Sequence, residues 1–487
     1  MTPASAPLAR FARSLERPDL IDWLRAGLVG NGAVVPGPFG TNPLLYADYV
    51  ASGRALEVVE RFVMTEILPY YANSHTEASF CGMTMTRMRR DARATIARLT
   101  QSTDAHAVIF GGSGATSGIN RLVELFGVPK TLASGGRVVV FIGPYEHHSN
   151  ILPWRESGAE VIEINEAADG GPDMVELEAA LDATADAALR IGTFSAASNV
   201  TGIVTDTDAV TRLLKAHNAL SIWDYAGGGP YLSIDMQDGT ACAKDAVVVS
   251  PHKFLGGPAA TGVLIVRKDA VTRDTPVFPG GGTVSFVSRS GQDYVDDLAT
   301  REEGGTPNVI GDIRAALAFL VKDAIGQAVM DARHAAFDAR ARAVWDANPN
   351  LEIFGLDKGA RLPIFSFRVK DDQGGYLHHQ LFTRMLSDCY GIQVRGGCAC
   401  AGPYAHRLLG IDDDASLALR RDIDNGDELA KPGWVRLNFS VLLDDEKADR
   451  IISAVDELAR QPHPMLAYYT ADPSTARFSP VPRQLSA

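Results

Sequence analysis

Lys253 lies in Ser250-Pro251-His252-Lys253-Phe254-Leu255-Gly256-Gly257, after the apolar run Ala246-Val247-Val248-Val249 and before Gly262-Val263-Leu264-Ile265-Val266. A lysine in a short turn between two buried strands can anchor an aldehyde cofactor as a Schiff base. Taken alone, such a lysine usually reads as an exposed loop residue. Other segments supply what a lone lysine lacks. Asp224 follows the strand-like Leu220-Ser221-Ile222-Trp223. A buried carboxylate there needs a cationic partner, and a protonated pyridine nitrogen is one, although a helix N-cap or a structural ion pair fits as well. Gly114-Ala115-Thr116-Ser117 opens a helix, and the free N–H groups of such an N-terminus suit a phosphate or simply end a turn. His147 can stack its ring on a flat cofactor and exchange protons near neutral pH, with the neighbouring His148 pointing the other way. Both also fit as hydrogen-bonded strand-end histidines. Asn199 offers an amide to a phenolate oxygen, or serves as a turn residue before Thr201-Gly202.

The elements that must position these residues follow from periodicity. Helix-like Leu56 to Leu68 and Arg87 to Leu99 flank a loop of small and polar residues. From residue 107 onward, short apolar runs such as Ala107–Phe110, Arg137–Ile142 and Arg190–Phe194 alternate with loops and helices. That alternation predicts an α/β fold, a mostly parallel sheet covered on both faces, with ligands collected beyond the carboxyl ends of its strands. Each segment named above follows one of those ends. Long helices from near Gly311 lead into a different pattern: strands at 364–369, 392–394 and 435–439, with helices at 377–388 and 447–460. The expected organisation is a large domain over 41–315 and a smaller α+β domain over 316–460, with residues 1–40 joining the smaller one. Residues 461–487 hold five prolines and no periodicity, which predicts an extended tail. There are no internal repeats.

Glu146-His147-His148, Ser198-Asn199-Val200-Thr201-Gly202, Asp224, Ser250-x-His252-Lys253 and Gly304-Gly305-Thr306-Pro307-Asn308 closely resemble the class V aminotransferase family of fold-type I pyridoxal phosphate (PLP) enzymes. Within it the likeness is greatest to the cysteine desulfurases and selenocysteine lyases. It runs from about Tyr46 to about Leu458. The resemblance implies Lys253 as the Schiff-base lysine, Asp224 as the partner of the pyridine nitrogen and His147 as the stacking acid/base. It places Asn199 by the phenolic oxygen, and Ala115, Thr116, Ser250 and His252 on the phosphate, joined by Thr306 from a second subunit. It therefore implies a homodimer.

Arg395-Gly396-Gly397-Cys398-Ala399-Cys400-Ala401-Gly402-Pro403 is similar to the desulfurase loop, with Cys400 at the catalytic position and Cys398 where many relatives carry histidine. Arg436 in Trp434-Val435-Arg436-Leu437-Asn438 matches the arginine that clamps the substrate carboxylate, a task suited to a planar bidentate donor, and Arg395 joins it in the substrate site. The cysteines alone also read as buried inert thiols or a redox pair; a zinc site would need four ligands, and only His406 offers a third, so no metal is expected. Two departures stand out. Asp224-Tyr225-Ala226-Gly227 lacks the family's glutamine after Asp-x-Ala. Between Cys400 and Arg436 lie 35 residues, which reads as an insertion.

Composition sets the outer bounds. The chain has 487 residues, 46% hydrophobic and 22% charged, with a net charge of −13. The acidic balance argues against nucleic acid as a partner. Five unevenly placed cysteines fit a reducing compartment, and the lack of a signal-like or membrane-spanning stretch points to the cytoplasm. The leading expectation is a cysteine desulfurase that converts L-cysteine to L-alanine, leaves a persulfide on Cys400 and hands sulfur to an acceptor protein. A PLP-dependent aminotransferase, epimerase or β-lyase for another amino acid is the alternative, and a non-catalytic scaffold of the same fold is the third reading.

Overall fold

The computed structural model describes residues 6–74 and 76–481. Two compact units divide the chain. The first holds residues up to Val29, Ser52–Ser198 and Val204–Val329; the second holds Gly30–Ala51, Asn199–Ile203 and the chain from Met330.

The first unit is built on seven strands: β1 (His106–Phe110), β2 (Val138–Ile142), β3 (Glu160–Glu163), β4 (Leu189–Ser195), β5 (Leu220–Asp224), β6 (Ala246–Val249) and β7 (Val263–Arg267). Their order is β1-β7-β6-β5-β4-β2-β3. Valine and isoleucine dominate β2, β6 and β7, and every residue of β1, β2 and β6 is buried. That is the pattern of strands covered on both faces. Only β7 runs antiparallel to its neighbours, pairing Val263 with Phe110 and with Val249. The cause lies in the β6–β7 connection. It contains a single 3-10 turn, Pro251–Lys253, and without a crossover helix the chain cannot return for a parallel pairing. Since β1 and β6 both oppose β7, the carboxyl ends of β1, β2, β4, β5 and β6 share one edge of the sheet. Helices α1 (Phe80–Leu99), α2 (Ala115–Leu125) and α3 (Val309–Ile325) belong to this unit. Helix α1 starts earlier than the periodicity suggests because the Ser79 side chain caps it, accepting from Gly82 N–H at 3.2 Å.

The second unit contains a four-stranded antiparallel sheet of β8 (Leu351–Ile353), β9 (Ile364–Val369), β10 (Arg395–Gly397) and β11 (Trp434–Asn438), ordered β8-β9-β11-β10. Trp345, Phe365, Phe367, Phe382, Phe439 and Val455 are buried in one cluster, contributed by the strands and by α4 (Gln327–Trp345), α5 (His379–Tyr390) and α8 (Asp445–Arg460). The stretch between Cys400 and Arg436 forms α6 (Gly402–Leu409), α7 (Asp413–Asp424) and a 3-10 turn at Glu428–Ala430.

Two terminal segments differ in form from the sequence expectation. Residues up to Val29 cluster with the first unit, and only Gly30–Ala51 with the second. The C-terminal segment is a short helix, His463–Leu466, followed by a hairpin of Tyr469–Asp472 with Arg477–Pro480. Its aromatic residues explain why it is not a loose arm. Phe478 rests on His378 at 5.1 Å, and Tyr468 lies edge-on to Phe39 at 5.5 Å. Residues 482–487 of the expected tail lie outside the described residues.

Candidate functional site

In the first unit, seven sequence-predicted residues converge at the shared strand edge: Ala115, Thr116, His147, Asp224, Ser250, His252 and Lys253. Helix α2 begins after Gly114, whose φ is +73°. A Cβ at Gly114 would stand 2.4 Å from Ser250 Oγ and 2.9 Å from His252 Cε1, so only glycine lets the helix start close against the Lys253 turn. Ser250 Oγ accepts from Ala115 N–H at 3.0 Å. Thr116 Oγ1 lies 2.7 Å from Ser149 Oγ, which lies 3.0 Å from His147 Nδ1. His147 Nδ1 also accepts from Ser149 N–H at 3.1 Å. With Nδ1 an acceptor, the neutral imidazole carries its proton on Nε2. Helix N-terminus, hydroxyls and imidazole thus form one connected set.

Asp224 ends β5 and is 3% exposed. Burial raises its carboxyl above the usual range, while the Ala226 N–H at 2.7 Å and the Lys253 ammonium act in the opposite direction. Lys253 is therefore close enough for its charge to be felt at Asp224. Burial, helped by the Lys253 charge, lowers His252 to about 4, so that ring is neutral near pH 7. The donor set fits PLP on its own chemistry: a helix N-terminus with hydroxyls for a phosphate, a lysine for an aldehyde, and a buried carboxylate for a cationic ring nitrogen. Thr306 is exposed in the single chain, in the loop where Gly305 N–H donates to Gly281 O at 2.8 Å.

Glu146 is a residue to which the sequence argument gave no role. It is 3% exposed, and its carboxylate accepts from Ser195 N–H and Ser195 Oγ, both at 2.8 Å, and from Asn150 Nδ2 at 2.5 Å. Burial outweighs these donors, and with Asp224 adding repulsion the carboxyl is pushed up to about 7. The signal was available in Glu146-His147-His148, a charged residue four positions after the apolar strand Val138–Ile142.

The second unit holds the predicted substrate residues. Arg395 on β10 and Arg436 on β11 are direct cross-strand partners. Like charges directly opposite destabilise a sheet, and Asp48 resolves the conflict. Its Oδ1 accepts from Arg436 Nη2 at 3.0 Å and its Oδ2 from Arg395 Nε at 3.1 Å. Arg436 Nη1 donates to Asn199 O at 3.1 Å. The Arg436 side chain is 5% exposed and that of Arg395 52%. A guanidinium pair organised around a carboxylate is chemically suited to carboxylate recognition.

Between Gly397 and Ala401 the chain makes a hydrogen-bonded turn, with Ala401 N–H donating to Cys398 O at 3.1 Å. Its central residues, Ala399 and Cys400, have φ of +53° and +55°. Each left-handed non-glycine residue costs on the order of 1–2 kcal/mol, and Asn199 helps to hold the turn by donating from Nδ2 to Ala399 O at 3.0 Å. Asn199 Oδ1 is buried without a protein partner. Cys400 is exposed and Cys398 half-buried. Among the described residues, no group of three or more His, Cys, Asp or Glu could hold a metal, and no helix is long and apolar enough to cross a membrane.

The sheet order, with its one antiparallel strand following a lysine-bearing turn, defines the fold of the fold-type I PLP-dependent enzymes. The chain resembles the solved apo cysteine desulfurase of Thermococcus onnurineus (TM-score 0.70, 22% identity, 86% of this chain and 95% of that one). A cysteine desulfurase of Escherichia coli matches at TM-score 0.70 and 21% identity, over 90% of this chain and 98% of the other. The aminotransferase class-V family model matches residues 45–425. The protein belongs to that enzyme family. Among curated relatives, a probable cysteine desulfurase of Halalkalibacterium halodurans is 28% identical over 396 residues, covering 80% of this chain and 92% of the relative. One of Vibrio cholerae is 27% identical over 440 residues, 89% of this chain and 97% of the relative.

Proposed function

We propose that the protein is a PLP-dependent cysteine desulfurase that takes sulfur from L-cysteine, forms a persulfide on Cys400 and releases L-alanine. The observation that carries this reading is the exposed Cys400 thiol at the tip of an anchored left-handed turn, in the unit that also holds the Asp48-bridged Arg395 and Arg436. The names of the relatives support the same substrate.

In this reading Ala115, Thr116, Ser250 and His252 hold the phosphate, Lys253 the aldehyde carbon, Asp224 the ring nitrogen and His147 the ring face. Asn199 serves the phenolic oxygen, and Thr306 reaches the phosphate of a partner subunit in a homodimer. Bound PLP supplies an electron sink for the substrate α-carbon. Lys253 Nζ would take the α-proton of the bound substrate and return it. Arg436 binds the substrate carboxylate, with Arg395 beside it in the sheet. The His147 ring, with Nδ1 accepting from Ser149 N–H, would donate from Nε2. The Cys400 thiolate forms a bond to the substrate sulfur as the carbon–sulfur bond breaks, and the remaining carbon is protonated to give alanine. The persulfide then passes to a sulfur-acceptor protein in the cytoplasm.

A second reading, a class V aminotransferase, epimerase or β-lyase for another amino acid, is favoured by Gly227 in the glutamine position and by the added helices α6 and α7. The test is to incubate the protein with L-cysteine and quantify alanine and sulfur together in wild type and Cys400→Ser. Equimolar products lost in the variant support the desulfurase. Absence of alanine from both transfers the assignment to another substrate.

A further inference from the structure

Cys398 is the group the proposed mechanism leaves unused, and its place in the turn gives it a task. The Ala401 N–H to Cys398 O bond makes Cys398 the first residue and Cys400 the third of one tight turn, and the two central residues both curl in the left-handed sense. A chain that doubles back in this way keeps the Cα atoms of its first and third residues within the separation of up to about 7 Å that a disulfide can span. Neither thiol is sequestered: Cys400 is exposed and Cys398 only half-buried. Buried Ala401 holds the end of the turn, and the Asn199 bond to Ala399 O holds its middle.

We propose that Cys398 is the resolving thiol for a persulfide on Cys400, a catalytic role that rests on the desulfurase reading. The Cys398 thiolate attacks the inner sulfur of the Cys400 persulfide. A Cys398–Cys400 disulfide forms, the bond between the two persulfide sulfurs breaks, and the outer sulfur leaves with the electron pair as hydrosulfide. The Cys398 sulfur is oxidised and the departing sulfur is reduced, while the Cys400 sulfur stays at the disulfide level, so no external oxidant enters. An external dithiol then reduces the disulfide and restores both thiols. The small ring that closes this disulfide is strained, which makes it readily reducible and suits an intermediate more than a structural crosslink. Sulfur thus leaves as sulfide in a step that competes with transfer of the persulfide to an acceptor, and the dithiol is needed only to restore the thiols for a further turnover.

The experiment has two arms on the full-length holoenzyme. In the first, native protein is equilibrated in glutathione redox buffers, alkylated and peptide-mapped. The expected result is a Cys398–Cys400 link in wild type and glutathione on Cys400 in Cys398→Ser. Glutathione on Cys400 of the wild type, with Cys398 a free thiol, overturns the proposal, and this arm does not depend on any activity. In the second, the persulfide is loaded with L-cysteine or, separately, with inorganic polysulfide, in the absence of reductant. Wild type should release stoichiometric sulfide and end as the disulfide, whereas Cys398→Ser should keep the persulfide and release none. A wild type that retains its persulfide as fully as Cys398→Ser contradicts the role. If L-cysteine yields no alanine, the desulfurase reading fails by itself, and the polysulfide arm still decides whether Cys398 resolves a persulfide.

Discussion

The cluster around Lys253 and the turn around Cys400 are built on opposite principles. The first is assembled from strand ends of a fully buried sheet, where Asp224, Glu146 and Ser250 are each less than 5% exposed and held by hydrogen bonds from neighbouring strands and helices. The second is an exposed turn with two left-handed non-glycine residues, held by a few contacts to Asn199 and Ala401. Groups that must stay fixed around a cofactor are set in rigid elements. The sulfur-carrying role proposed for Cys400 needs exposure, and the turn gives the thiol that at the expense of local strain.

The largest effects should separate the two regions outright. Lys253→Ala should abolish turnover of any amino acid, because in the proposed function it removes both the anchor and the proton carrier, as a turnover assay with supplied PLP will show. Cys400→Ser should lose sulfur release while its visible spectrum after PLP addition stays that of wild type. Next comes the arginine pair. Asp48→Ala leaves two neighbouring guanidiniums without their shared carboxylate and should destabilise the protein by about 3 kcal/mol, read from denaturant unfolding, with a higher KM for the substrate. Arg436→Lys should raise KM more than it lowers kcat, since a point charge replaces a fork.

A pH series sharpens the contrast from the buried side. The Glu146 carboxyl, at about 7 in the folded chain against an ordinary 4.5, binds its proton more tightly when folded. Its contribution to stability is fully present below about pH 4.5 and is lost as pH rises through 7. His252, at about 4 against 6.5, acts the other way, and its contribution is lost as pH falls from 6.5 through 4. Glu146→Gln should therefore remove the falling component and leave stability that rises more steeply from acid toward neutral pH, measured by unfolding at a series of pH values. The smallest effect belongs to the turn: Ala399→Gly relieves one left-handed residue and should raise stability by roughly 0.5 kcal/mol, visible as a slightly higher Tm.

Much of the first region was legible because its signals are local. Val138–Ile142 and Ala246–Val249 announce buried strands, and Glu146, Asp224 and Lys253 follow such runs directly or within a few residues. Asp48 was not legible. It meets Arg436 from 388 positions away, and nothing in Tyr46-Ala47-Asp48-Tyr49 marks it as the bridge between two arginines. The C-terminal hairpin was hidden for a related reason. Its strands of four residues are stabilised by tertiary contacts such as Phe478 on His378, which leave no periodicity in the sequence. The helices α6 and α7 lay in what could be read only as added length, although Asp412, the N-cap of α7 that accepts from Ala415 N–H at 2.9 Å, is a local signal that the acidic run Asp412-Asp413-Asp414 contained.

The most direct test of the division between a fixed cofactor cradle and an exposed sulfur carrier is peptide mass mapping of Cys400 after a brief reaction with L-cysteine, comparing wild type, Cys398→Ser and Lys253→Ala. The account predicts a persulfide on Cys400 in Cys398→Ser, a Cys398–Cys400 link in wild type and two unmodified thiols in Lys253→Ala. Cys400 left unmodified in both the wild type and Cys398→Ser, with alanine still produced, would contradict it.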